Sequence, residues 1–145
     1  MPFKNWVRML AVLISTLPAQ AAAVCMPQQP PRVISGGVGE SELQALRESE
    51  SGHNLKLVFM LEGGQHVAGV DVEISGTVSG LVLRHRALGP WLLACLPVGV
   101  YTVSVEYEGL RLSRQLTMGK ALQTAYFRWA AGPDDVVLKP EPPGR

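Results

Sequence analysis

Leu96-Pro-Val-Gly-Val-Tyr-Thr-Val-Ser-Val105 is the stretch that decides the fold. Pro97-Val98-Gly99 reads as a tight turn, and the residues after it alternate strictly. Tyr101, Val103, Val105 and Tyr107 point one way; Thr102, Ser104, Glu106 and Glu108 point the other. A period of two, apolar on one side only, predicts a strand with one buried and one wet face.

The same grammar runs on both sides of this strand. Leu55 to Leu61 is strongly apolar, and Glu62-Gly63-Gly64 after it reads as a hairpin turn. In Val67 to Ile74, Ala68, Val70, Val72 and Ile74 share a face opposite Gly69, Asp71 and Glu73. Leu81 to Ala87 is less regular, and its Arg84-His85-Arg86 triplet suits an edge. Gly89-Pro90 turns the chain into Trp91 to Leu96, with Leu92, Ala94 and Leu96 on one side and Trp91, Leu93 and Cys95 on the other. Glu108-Gly109 predicts a hairpin into Leu110 to Met118, where Arg114 interrupts the row Leu110, Leu112, Leu116 and Met118. The last strand, Leu122 to Ala130, aligns Ala125, Phe127 and Trp129. About seven short strands with frequent turns predict an all-β antiparallel sandwich over residues 54–130.

N-terminal to it, residues 1–23 have the three-part form of a secretory signal peptide. Lys4 and Arg8 are basic, Met9 to Leu17 is apolar, and Ala19-Gln20-Ala21 or Ala21-Ala22-Ala23 supplies a small-x-small cleavage site. The apolar run is shorter than the ~20 residues a membrane span needs. The chain is therefore expected in the periplasm or outside the cell, with no membrane span. Lys4 and Arg8 are two of the 13 basic residues and the leader holds no acid, so the rest has 11 basic against 12 acidic residues. That balance gives no electrostatic reason to expect a nucleic-acid partner.

Residues 24–53 read as an arm and a short helix. Met26 to Arg32 is proline-rich and unsuited to a central strand. The glycines of Val33 to Glu40 suggest a left-handed backbone path rather than a phosphate loop, because Glu40-Ser41 stands where a Walker motif needs Lys-Ser/Thr. Ser41-Glu-Leu-Gln44 has the capping-box form, with Ser41 as N-cap, and Gly52 ends the helix as a C-cap. Cys25 and Cys95 are the two cysteines. An exported chain with two usually pairs them, and closing so long a loop stabilises by about 4 kcal/mol on the chain-entropy model. A lipid on Cys25 is the alternative, although Val24 and Ala22 fit that motif poorly. Residues 131–145 hold few large apolar residues and read as a flexible tail.

Leu-Pro-x-Gly-x-Tyr-x-Val, here Leu96 to Val103, resembles the signature of carboxypeptidase regulatory-like domains, which are transthyretin-like (prealbumin-type) Greek-key sandwiches. Ser35-Gly-Gly-Val-Gly39, Asn54-Leu-Lys-Leu57 and Tyr126-Phe-Arg-Trp129 look like a group of exported bacterial single-domain proteins. The resemblance covers Val33 to Trp129 and implies a fold more than a function. The enzymes it brings to mind lack their residues here. The Tyr-Arg-Gly-Ser ending of transthyretin-like hydroxyisourate hydrolases is absent, and neither His53, His66 nor His85 is followed three residues on by the Glu of a zinc carboxypeptidase.

No catalytic constellation, metal set or cofactor motif stands out, so the expectation is a non-enzymatic accessory or binding module that contacts an envelope protein or a glycan. Trp91 and Trp129 are the candidate binding residues, as an exposed aromatic patch. Core burial of one or both is the alternative. Two other functions stay open: a small hydrolase with a dispersed polar site, and an assembly subunit that adds a strand at Leu81 to Ala87.

Overall fold

The computed structural model describes residues 24–130; the expected signal peptide and tail lie outside them. The elements are β1 (Val33–Gly36), α1 (Glu40–Ser49), a 3-10 turn (Glu50–Gly52), β2 (Leu55–Leu61), β3 (Val70–Gly76), β4 (Gly80–Ala87), β5 (Trp91–Ala94), β6 (Gly99–Tyr107), β7 (Leu110–Met118) and β8 (Gln123–Trp129). They form two four-stranded sheets, ordered β1-β5-β2-β8 and β4-β3-β6-β7. All pairings are antiparallel except β2 with β8. The chain is thus a sandwich-like, mostly β protein with one short helix.

Alternation places the core between the sheets. Leu55, Leu57, Phe59 and Leu61 of β2 and Ala125, Phe127 and Trp129 of β8 meet Val70, Val72 and Ile74 of β3 and Tyr101, Val103 and Val105 of β6. The strand read first therefore turns its apolar row inward. At its end, Glu108 (φ 48°) and Gly109 (φ 78°) both take the left-handed conformation that a two-residue hairpin with the right-handed strand twist requires.

The described residues hold eight strands where about seven were expected. The added one is β1, in the glycine-rich stretch. It exists because β5 offers a free edge: Val33 to Gly36 pair with Ala94 to Trp91. Only Gly37 takes the left-handed path, with φ 97°. The Glu62-Gly63-Gly64 turn forms, but pairing stops at a Met60–His66 bridge and the chain crosses to the other sheet. β3 accordingly begins at Val70, with Ala68 outside it.

The helix starts two residues before the expected position, at Glu40 rather than after an N-cap at Ser41. Its N-cap is Gly39 with no side-chain cap, so Ser41 does not close a capping box. Instead Glu42 Oε2 accepts the amides of Gly37 and Val38, both at 3.1 Å. This carboxylate fixes the turn that aims α1, and it sits where the helix dipole favours negative charge. Gly52 closes the following 3-10 turn rather than capping α1, whose C-cap is Glu50.

Cys25 and Cys95 form the disulfide, with a Cα–Cα distance of 5.6 Å. It holds the arm beside the Pro97 turn and leaves no thiol at Cys25 for a lipid. No helix among the described residues is long and apolar enough to cross a membrane.

Candidate functional site

The register of the first sheet decides what its two tryptophans can do. Trp91 is level with Val58 on the outer face, whereas Trp129 is level with Leu61 on the inner face. Trp129 is 2% exposed, packed at a tilt against Tyr107 and Phe59, and donates Nε1–H to Leu110 O at 3.0 Å. Trp91 is half-buried, with Lys56 Nζ 3.5 Å from its ring centroid and the Arg47 guanidinium at 5.7 Å. Lys56 is tied in turn to Glu50. The two side chains thus lie on opposite sides of one sheet, and one shared aromatic patch is not formed.

The outer face of this sheet is divided. α1 covers the β1–β5 side, where Leu46, Val58 and Leu93 are buried. The β8 side stays open. There Thr124, Tyr126 and Arg128 point outward, opposite in parity to Ala125, Phe127 and Trp129. Tyr126 is 48% exposed.

β8 is an edge strand, and so is β7 of the second sheet. Where the two edges approach lies an open groove of about 500 Å³, lined by Leu112, Ser113, Arg114, Tyr126, Phe127 and Arg128. Arg114 belongs to the inward row of β7. At an edge its long stem can reach solvent, and its guanidinium lies 5.3 Å from the Phe127 ring centroid. Arg128 rests on Met60, its level neighbour on β2, through Nε–H to Sδ at 3.3 Å. Neither arginine has a carboxylate partner among the described residues. Two guanidiniums with no carboxylate partner and the half-exposed Tyr126 therefore line one groove, and each guanidinium has N–H groups to offer an anion.

The outer face of the second sheet is equally charged but compensated. Arg84 meets Glu73 at 3.2 Å, Arg86 meets Asp71 at 3.0 Å, and Arg111 lies 3.7 Å from Glu73. These are cross-strand pairs on an exposed surface, worth little each. The Arg84-His85-Arg86 triplet is split by its strand: the arginines pair outward, while His85 turns inward to Ser35 Oγ at 3.0 Å. Ser35 Oγ also accepts the Leu88 amide at 3.1 Å. This Ser–His contact closes the β1–β4 edge of the sandwich, as Trp129 closes the β7–β8 edge.

The remaining polar side chains in the interior serve the scaffold. His53 bonds Ser49 O through Nδ1 at 2.7 Å, and its buried Nε2 has no partner among the described residues. Asn54 bonds three backbone groups. Burial pushes the Tyr101 phenol upward in pKa, and its hydroxyl donates to Pro97 O at 2.9 Å. Among the described residues no three of His, Cys, Asp and Glu gather as a metal site.

Tyr126 and Arg128 had a signal in the sequence, since they alternate against an apolar row. Arg114 was visible only as an interruption. Nothing local says that it shares a groove with Tyr126, because the two strands belong to different sheets. No protein-family model matches the chain, and no curated protein matches it.

Proposed function

We propose that this chain is an exported, non-enzymatic binding module of the carboxypeptidase regulatory-like, transthyretin-like Greek-key type, and that it holds an anionic partner in the β7–β8 groove. The observation that carries the reading is the pair Arg114 and Arg128 beside exposed Tyr126, with no carboxylate in the lining. Every other exposed arginine on the strands is matched to an acid, so this is the place where an outside anion completes the pairing. The Leu96–Val103 motif and the two sheets support the family reading. The disulfide suits a periplasmic or secreted protein.

The test is a titration of the ¹⁵N-labelled protein with two carboxylate polymers, polygalacturonate and poly-glutamate, followed by amide shifts. At least one polymer is expected to shift β7 and β8, and the double variant Arg114→Gln, Arg128→Gln to weaken it by roughly tenfold or more. Shifts centred on Arg84 and Arg86, or binding unchanged in the double variant, would refute the proposal.

A further inference from the structure

Resting on that reading of the groove, we infer that its occupant is an acidic sugar polymer, a chain of pyranose rings bearing carboxylates, rather than an acidic peptide. The groove is built as a platform. Tyr126 projects from β8, and Thr124 and Arg128, two residues away on either side, share its face. At strand rise these neighbours stand ~7 Å from Tyr126 along the chain. Arg114 lines the groove from β7, with its guanidinium over Phe127. One exposed aromatic ring thus shares the groove with two guanidiniums, and Thr124 adds a hydroxyl on its own face.

A peptide ligand is usually gripped by apolar pockets that receive its side chains. This lining has none to offer. Phe127 is 3% exposed beneath Arg114, and Leu112 is packed against the core. A sugar ring needs no such hole. Its C–H face lies on an exposed phenol ring, which is apolar in body and polar at its tip. Sugar hydroxyls exchange hydrogen bonds with Thr124, and a ring carboxylate matches the planar fork of an arginine. A neutral sugar would satisfy the ring and leave both guanidiniums unmatched, which is why the class is acidic.

The experiment compares polygalacturonate, poly-glutamate and neutral dextran by calorimetry at physiological ionic strength, using the disulfide-bonded protein. Polygalacturonate is expected to bind, and dextran not to. Tyr126→Ala should lower the affinity for polygalacturonate about tenfold, Tyr126→Phe should keep it, and Arg114→Gln or Arg128→Gln should each cost roughly fivefold. All three positions are exposed, and thermal melts matching the parent establish that the variants fold. The Arg84→Gln, Arg86→Gln double variant should bind as the parent does.

If poly-glutamate binds as well as polygalacturonate and Tyr126→Ala changes neither, the sugar assignment falls and the anionic groove stands. If neither polymer responds to the groove arginines, both fall.

Discussion

Replacing Asn54 by alanine tests how the sandwich holds its ends together. Asn54 is 2% exposed at the start of β2. Its side chain receives the Leu96 amide at 2.9 Å and donates to Leu96 O at 2.7 Å and Gly119 O at 2.9 Å. One amide thereby joins β2 to the turn before β6 and to the connection between β7 and β8. Asn54→Ala strands three backbone groups, two of them on Leu96, which is 1% exposed. A hydrogen bond nets ~1 kcal/mol, and an unsatisfied buried group costs as much or more, so the loss should be about 3 kcal/mol. For a domain of this size that is roughly 12–24 °C in Tm. Asn54→Asp keeps the acceptor for Leu96 N–H but sets an oxygen against two carbonyls. It should melt below Asn54→Ala at pH 7 and recover part of the difference at pH 4, where protonation returns a donor. Thermal unfolding by circular dichroism measures both. A cooperative melt for Asn54→Ala within ~3 °C of the parent would refute the reasoning, because it would mean that water or rearrangement replaces all three bonds.

Two further predictions concern the scaffold. A Cβ on Gly89 would stand 2.3 Å from Gly36 O and 2.4 Å from its carbonyl carbon; Gly89→Ala should therefore push β1 off the β4–β5 turn, cost more than ~2 kcal/mol, and speed amide exchange across Val33–Gly36, whereas parental exchange there would show that the approach is not tight. Burial raises the Tyr101 phenol above its ordinary value of 10.0, so above pH ~10 the unfolded chain releases this proton first and stability falls as pH rises through the folded value. Denaturant melts from pH 9 to 11 should show a steeper loss in the parent than in Tyr101→Phe, and equal slopes would remove Tyr101 as the cause.

The candidate site shows where sequence reasoning ends. In β6 the period of two assigned faces correctly because each inward residue, Tyr101, Val103 and Val105, is apolar and each outward neighbour is polar. The same period applied to Trp91 and Trp129 says which neighbours each shares a face with. It does not say whether those faces coincide, since that depends on how β5 and β8 register against β2. The short β1 was overlooked for a related reason. It is four residues long and ends in Ser35-Gly36, which have little strand preference, and its backbone is extended because β5 supplies partners.

From the sequence alone came the strand alternation, the turns at Pro97-Val98-Gly99 and Glu108-Gly109, the pairing of Cys25 with Cys95, and the balance of charge in the chain. Each is a property of neighbours along the chain or of composition, and local sterics and burial suffice to read it. Tertiary structure alone decided that β2 pairs parallel with β8, that Trp91 and Trp129 turn to opposite sides, and that Arg114 and Tyr126 share a groove. Those facts join residues from separate strands, in one case from separate sheets. The energy that selects them is the fit of one apolar face against another, which no single strand contains.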